Sequence, residues 1–337
     1  MSEERHDPLI GKRLGDYTLS RLIAKGGMGR VYVADDSQLG RQVAVKVITL
    51  DEDLADEIME RFQREAQVIG RLDDHPNIIT IHRYGKEKGH HYIAMKYIRG
   101  QSLADYLELL RTKKEFIEWD EMLPILRQVA AALDYAHIHG VIHRDIKPAN
   151  IMLDQSPSQP GQKIAILMDF GLVMQLDNNM TSGTAFGTPR YIAPEQAISS
   201  TDACAQSDIY SLGVVVFEML AGQTPFDSDD SPVAVALSHV TKQPPSPRLF
   251  RPDLPESVVP VIMKVLAKKP EDRYQTTAGF VDALQLALIG KLPDTNLIVA
   301  PRREVVIEPD RPTMQVDVLE FQDDDDTEVP RPEVITG

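Results

Sequence analysis

Between residues 17 and 97 apolar positions mostly alternate with polar ones or run in short β-branched stretches. YTLSRLIAK, RVYVA, QVAVKVITL, NIITIHRYG and HHYIAMKY each fit the two-residue period of a strand. One segment, 54–72, switches to the helical period and sets Ile58, Phe62, Ile69 and Leu72 on one stripe. Past Gly100 the helical period dominates and predicts helices at 102–111, 119–139, 209–221, 232–240, 258–268 and 278–288, with Gly140 stopping the second. Two short strands, 149–153 and 163–168, flank the turn-rich stretch SPSQPGQ. The expected architecture is α+β, a small, mainly β lobe with one helix followed by a larger helical lobe.

After about residue 289 the pattern lapses. Prolines stand at 293, 301, 309, 312, 330 and 332, and twelve acids against five bases give this segment −7 of the total −15. That composition predicts a mostly disordered acidic, proline-rich tail, with short apolar pieces only at 297–299, 305–307 and 316–321. No internal repeat is visible.

A chain of 337 residues is long enough for about two domains with cores of their own. Its negative balance argues against a general nucleic-acid binder, which needs a basic face. The single cysteine, Cys204, excludes an internal disulfide framework and suits a reducing compartment. The polar start MSEERHDPLI lacks the apolar core of a signal peptide. The longest apolar helix, IYSLGVVVFEMLA, is too short to span a bilayer, which takes about 20 residues, and it carries Glu218. The expected location is cytoplasmic, with no transmembrane segment.

Chemistry enters with AKGGMGRVYVA, where Gly26, Gly27 and Gly29 run straight into a strand. Glycines let backbone N–H groups come close to phosphate. A dinucleotide fingerprint would start a helix here, and a Walker loop would carry a Gly-Lys-Ser/Thr ending; neither is present. A hairpin whose tip folds over phosphates fits instead. On the strand 43–48, Ala44, Lys46 and Ile48 share one face, so an ammonium sits among apolar neighbours and needs a partner. Glu65 falls inside the apolar stripe of helix 54–72 and is the partner expected. Such a pair is either purely structural or a device that presents Lys46 to phosphate oxygens.

The stretch HRDIKPAN, residues 143–150, follows Val141 and Ile142 and precedes another strand, which makes it a polar loop on a firm frame. Asp145 can accept a proton or hydrogen bond from an attacking hydroxyl, Lys147 can neutralise a migrating phosphoryl group, and Asn150 offers a neutral oxygen to a hard cation. After the strand AILM come Asp169, Phe170 and Gly171; Asp169 would bring a carboxylate to the same cation.

These residues together resemble the eukaryotic-type protein kinases, and most of all their bacterial serine/threonine branch. The resemblance covers roughly residues 17–288 and rests on the glycine loop, Val43-Ala44-Val45-Lys46, Glu65, His143-Arg144-Asp145, Lys147, Asn150, Asp169-Phe170-Gly171 and Ala193-Pro194-Glu195. It implies the two-lobed protein kinase fold, with an N-terminal extension at 1–16, an ATP-binding N-lobe at 17–98, a catalytic and substrate-binding C-lobe at 99–288 and the tail at 289–337. Within that fold Asp145 would be the catalytic base and Lys46 the α/β-phosphate ligand, and Asn150 and Asp169 would hold magnesium, or manganese in its place. ATP would lie against Ile23, Ala24, Gly26, Gly27, Gly29, Val31 and Ala44, with Met95 as gatekeeper and 96–98, from Lys96 to Ile98, as the hinge that meets adenine. Glu195 would pair with Arg273, and Asp208 would brace the catalytic loop. Lys147, with Gly187 and Thr188 ahead of Pro189, resembles the serine/threonine pattern rather than the tyrosine one. Ala24 departs from the family by standing where the first glycine belongs, and Lys96 by standing where an acid is common.

The same resemblance implies transfer of the ATP γ-phosphate to serine and threonine hydroxyls of proteins, with autophosphorylation between two copies of the chain. Arg144 beside the base is the mark of kinases switched on by a phosphate in the loop between Gly171 and Ala193. Thr181 or Thr184 is the expected main site, with Ser182 secondary. In the tail, Thr313 and Thr327 are further candidates, Thr327 for a phosphothreonine-binding partner. Such a chain would be cytoplasmic or the cytoplasmic part of a longer membrane-anchored kinase. Two rivals remain: a pseudokinase scaffold, opposed by the presence of Lys46, Asp145 and Asp169, and a small-molecule phosphotransferase, opposed by the peptide-docking look of the segment before Glu195.

Overall fold

The structure is a computed structural model, and it describes residues 7–26, 29–48, 70, 72, 74–155, 161–170, 189–226 and 231–291. Its strands are β1 Arg13–Leu14, β2 Tyr17–Gly26, β3 Gly29–Asp36, β4 Arg41–Ile48, β5 Ile81–Glu87, β6 His90–Lys96, β7 Gln101–Ser102, β8 Ile151–Gln155 and β9 Lys163–Leu167. Its described helices are α1 Leu103–Lys113, α2 Trp119–Ile138, α3 Pro194–Ile198, α4 Ala205–Ala221, α5 Pro232–Thr241, α6 Val258–Val265 and α7 Thr277–Leu288. Six strands form one antiparallel sheet in the order β1-β2-β3-β4-β6-β5, and β7-β8-β9 form a second, smaller one. The α+β expectation holds, with the smaller sheet and helices α1–α7 following the six-stranded sheet in the chain.

Alternation along β4 explains how this sheet serves two purposes. Val43, Val45 and Val47 point into a cluster with Leu14, Tyr17, Leu19, Tyr32 and Tyr92 that forms the core of the small lobe. Ala44 and Ile48 point the other way, into a cluster with Ile79, Ile93, Met95, Ile98 and Ile166. That second cluster joins small-lobe strands to β8 and β9, so it lies between the lobes. Residues before the predicted strand at 17 take part as well: β1 pairs with β2, and Leu9 and Leu14 are buried.

The larger lobe is built around α4, in which every side chain from Ser207 to Ala221 is buried. A helix that is apolar all round belongs inside a domain. It begins four residues before the apolar pattern does, because a polar first turn hides the start. Ser207 Oγ accepts the Cys204 N–H at 3.0 Å and donates to Glu195 at 2.6 Å. Gly222 ends it in the left-handed region, φ 75°.

Several predicted boundaries move for local reasons. The strand expected at 149–153 starts at Ile151, since Pro148–Asn150 forms a 3-10 turn held by Asn150 N–H to Lys147 O at 3.0 Å. The strand expected from Asn77 starts at Ile81. The residues before it leave the sheet to reach the other lobe: Ile78 bridges Leu167 in parallel, and the Asn77 amide donates to Gln128 and to Ala165 O. The helix expected to reach 268 ends at Val265, and the Ala267 and Lys268 carbonyls accept from Arg273 instead. The short α3 carried no periodicity to detect. Of the helix expected at 54–72, only Gly70, which is helical, and Leu72, which is buried, are among the described residues. The tail lies outside them. Among the described residues no helix is long and apolar enough to cross a membrane.

Candidate active site

The glycine hairpin closes with Gly26 paired to Gly29. Gly29 has φ 147°, and a Cβ there would come within 2.1 Å of Val47 O, so glycine is required on both counts. Gly26 faces open space, and Gly27 lies outside the described residues. Ala24 pairs with Val31 just after a register shift and keeps a negative φ, where alanine is unstrained. Ile23 is exposed at 44%, a large apolar side chain left on the hairpin next to the cleft.

Ala44 lies opposite Met95 across β4 and β6, and both are buried in the interlobe cluster with Ile98. Val31 packs on the same cluster from above, while Met152, Ile166 and Met168 reach it from the large lobe. The sequence reading missed these last three. The alternation of Ile151-Met152-Leu153 was the available signal, because Ile151 and Leu153 join the large-lobe core and Met152 faces the other way. The result is one apolar cluster shared by both lobes. Lys96 has an exposed side chain, and its N–H is already bound to Thr80 O at 2.9 Å.

Lys46 occupies the face of β4 turned to this cluster. Its Nζ lies 2.9 Å from Asp169 Oδ1, a contact from one lobe to the other. Glu65, the partner expected from the sequence, lies outside the described residues, so the described partner is the proposed metal ligand itself. Asp169 has φ 50°, which turns its carboxylate out of the line of β9.

The loop 143–150 hangs from one buried carboxylate. Asp208 Oδ2 accepts the His143 N–H and His137 Nε2, and Oδ1 accepts the Arg144 N–H, all at 2.8 Å. His143 is fully buried, and burial pushes its pKa down, so its ring is neutral. The neutral ring donates from Nε2 to Met168 O at 2.8 Å and accepts the Asp145 N–H at Nδ1. It also packs against the Phe170 ring, tilted by 42° with centroids 4.6 Å apart. One imidazole thus ties the loop to the segment bearing Asp169, with Met168 N–H to Asn150 O at 2.8 Å as a second tie.

On this frame Asp145 Oδ2 receives Lys147 Nζ at 2.7 Å and Asn150 Nδ2 at 2.9 Å. The Asn150 amide nitrogen also donates to Asp145 O at 2.8 Å, which leaves its oxygen as the atom it can offer to a cation. Asn150 and Asp169 supply hard oxygens of the kind magnesium takes, and the donor set fits it. Among the described residues no three acids, histidines or cysteines gather into a cage of their own. Two protein oxygens completed by phosphate and water are the usual magnesium arrangement with nucleotides.

Behind the loop, Glu195 and Arg273 form a two-pronged pair at 2.7 and 2.8 Å. Burial works to raise the Glu195 carboxyl, but Arg273 and Ser207 outweigh it and hold the group below the ordinary glutamate range. Glu218 shows the reverse balance. Burial pushes it up despite Tyr191, which donates at 2.6 Å, and Arg111 at 3.1 Å. Neither Tyr191 nor Glu218 was read as a site residue from the sequence. Thr181, Ser182, Thr184 and Thr188 lie outside the described residues. Arg144 does not: it sits at φ 67°, and its Nε is buried with no hydrogen-bond partner.

The protein kinase domain model matches residues 17–284. The chain belongs to the protein kinase family. It is 40% identical over 271 residues to the serine/threonine-protein kinase PrkC of Bacillus subtilis, covering 80% of this chain and 40% of PrkC. It is 39% identical over 294 residues to the serine/threonine-protein kinase PknA of Mycobacterium tuberculosis, covering 85% of this chain and 64% of PknA. The chain therefore spans less than two thirds of these relatives. Among solved structures, a double mutant of the Mycobacterium tuberculosis PknI kinase domain superposes with a TM-score of 0.67 at 30% identity, covering 82% of this chain and 98% of that one. What the chain carries is a serine/threonine protein kinase domain of the bacterial, eukaryotic-type branch.

Proposed function

We propose that the whole protein acts through this domain as an ATP- and magnesium-dependent kinase that phosphorylates serine and threonine hydroxyls of proteins, its own activation loop among them. The observation that carries the reading is the convergence of Lys147 Nζ and Asn150 Nδ2 on one oxygen of Asp145. The other oxygen of that carboxylate is the atom that meets an acceptor hydroxyl. Asp145 orients the hydroxyl and takes its proton as the oxygen attacks the γ-phosphorus. Lys147 balances charge on the transferred group, and Lys46 leaves Asp169 to hold the α- and β-phosphates. The apolar cluster around Ala44, Met95 and Met152 takes the adenine. Magnesium, or manganese in its place, would neutralise phosphate charge when held by Asn150 and Asp169.

Control by phosphorylation of Thr181 or Thr184 is supported by the buried, unpartnered Arg144 Nε, a donor suited to a phosphate oxygen. Exchange between two copies supplies that phosphate in this reading, and ATP use places the domain in the cytoplasm. Thr327, in an acidic run, is a second modification site for a phosphothreonine-binding partner. The retained Lys46, Asp145 and Asp169 speak against a mere scaffold. The test is incubation of the purified chain with ATP plus magnesium, manganese or a chelator, followed by mass spectrometry. Metal-dependent phosphate on Thr181 or Thr184 supports the proposal. Phosphate absent under every condition, both from the chain and from added proteins, overturns it.

A further inference from the structure

Residues 7–14 precede the lobe expected from the sequence, yet they are built into it. Leu9 and Leu14 are buried in the small-lobe core. The Gly11 N–H donates to Leu19 O at 2.7 Å, and the Leu19 N–H returns to Lys12 O at 3.0 Å, so the segment is laced to β2. Gly11 takes φ 80° on that path, which suits glycine.

Asp7 belongs to this segment, and its carboxylate is only 6% exposed. Oδ2 receives Arg30 Nη1 at 2.9 Å. Oδ1 receives the Tyr32 hydroxyl at 3.0 Å and the Leu9 N–H at 3.0 Å. Arg30 and Tyr32 lie on β3, the strand that leaves the glycine hairpin. Arg30 follows Gly29 directly and pairs with Lys25 across the hairpin. Tyr32 is part of the small-lobe core, whereas Val31, between the two, packs on the interlobe cluster. Alternation therefore sets Arg30 and Tyr32 on the face of β3 that looks away from the cleft. One buried carboxylate grips the hairpin from behind at two points, and the Leu9 N–H steadies the carboxylate itself.

We propose that Asp7 is a positioning residue for the nucleotide: through Arg30 it fixes the hairpin in the shape in which Gly26 and Gly29 meet the phosphates. This rests on the kinase reading above. A hairpin held in advance loses less freedom when ATP binds under it, so affinity rises without a contact to the ligand. Arg30 is one third exposed, so water screens the link and its effect is moderate.

The test uses Asp7→Asn, which keeps Oδ1 for Tyr32 and Leu9 and turns an NH2 toward Arg30, so that only the one link is cut. Arg30→Gln cuts the same link from the other side and carries the test should Asp7→Asn fail to fold. These variants, their double and wild type are checked for a cooperative thermal transition, then titrated with ATP and with adenosine by calorimetry in the presence of magnesium. Each single variant is expected to weaken ATP about threefold or more and to leave adenosine within about 1.5-fold, because adenosine has no phosphates for the hairpin to hold. The double variant should lose no more than the larger single loss, since both remove one contact. Hydrogen exchange at amides 29–32 should quicken in all three. ATP affinity within about 1.5-fold of wild type in a folded single variant overturns the proposal, and so do equal losses for ATP and adenosine or a double loss equal to the sum of the singles. In each of those cases the wild type still binds ATP and the kinase reading stands. A wild type that binds neither ligand overturns the kinase reading and the proposal with it.

Discussion

Replacing Arg273 by alanine removes a guanidinium that the fold encloses completely. Its side chain is 0% exposed and that of Glu195 12%. It donates to both Glu195 oxygens and to the carbonyls of Ala267, Gln206 and Lys268 at 2.7–2.9 Å. Alanine leaves three carbonyls short of a partner and a buried carboxylate with only Ser207 to hold it. Breaking one side of a buried pair costs about 3–5 kcal/mol. In a domain of this size that is a fall in Tm of about 6–20 °C. The assay is denaturant and thermal unfolding of wild type, Arg273→Ala, Glu195→Leu and the double variant. The double variant is expected to lose less than the two singles together, since it removes the stranded charge. The pH dependence has a fixed sign. Glu195 titrates lower folded than unfolded, so its contribution is complete above the ordinary value of 4.5 and is lost as pH falls through the folded value. Arg273→Ala removes the cause of that shift, and the stability gap to wild type should narrow in acid. A cost below about 1 kcal/mol, strict additivity, or a gap that widens below pH 4.5 would refute the reasoning.

Asp208→Asn keeps one acceptor oxygen but turns an amide NH2 toward at least one of the three donors it now serves. It should cost about 1–3 kcal/mol in denaturant unfolding and drop kcat about a hundredfold by misplacing Asp145; kcat within twofold of wild type contradicts this. Gly29→Ala must relieve a 2.1 Å approach to Val47 O at a φ of 147°, whereas Gly26→Ala meets open space. The first should lower stability by about 1–3 kcal/mol and weaken ATP binding in calorimetry, and the second should do neither. Thr181→Ala with Thr184→Ala should cut transfer to an added peptide by about tenfold or more, and full activity in that double variant would remove loop phosphorylation as the switch.

Much of this site was legible in the sequence because its parts are local. HRDIKPAN, Asp169 and the Val43–Lys46 strand carry both their chemistry and their secondary structure within a few residues. The face of β4 that bears Lys46 followed from alternation alone, and the structure shows Ala44 and Ile48 on the same side. What the sequence hid depends on distant packing. Met152 and Met168 come to the interlobe cluster only when the lobes meet, and the Glu218–Tyr191–Arg111 cluster joins three elements far apart in the chain. The early start of α4 was hidden by Ser207 and Asp208, whose polarity serves Glu195 and the catalytic loop rather than the helix. Nor does any periodicity report that the Ala267 and Lys268 carbonyls, past the end of α6, accept from Arg273.

The central claim is that Asp145 directs an acceptor hydroxyl without being needed to hold the nucleotide. Asp145→Asn keeps the size of the side chain and the oxygen that Lys147 and Asn150 approach, and removes only the charge. ATP affinity with magnesium, measured by calorimetry beside single-turnover transfer to a synthetic peptide copying residues 177–191, separates the two roles. The account predicts affinity within about threefold of wild type and transfer slower by about a hundredfold or more. Transfer at the wild-type rate by Asp145→Asn would contradict it.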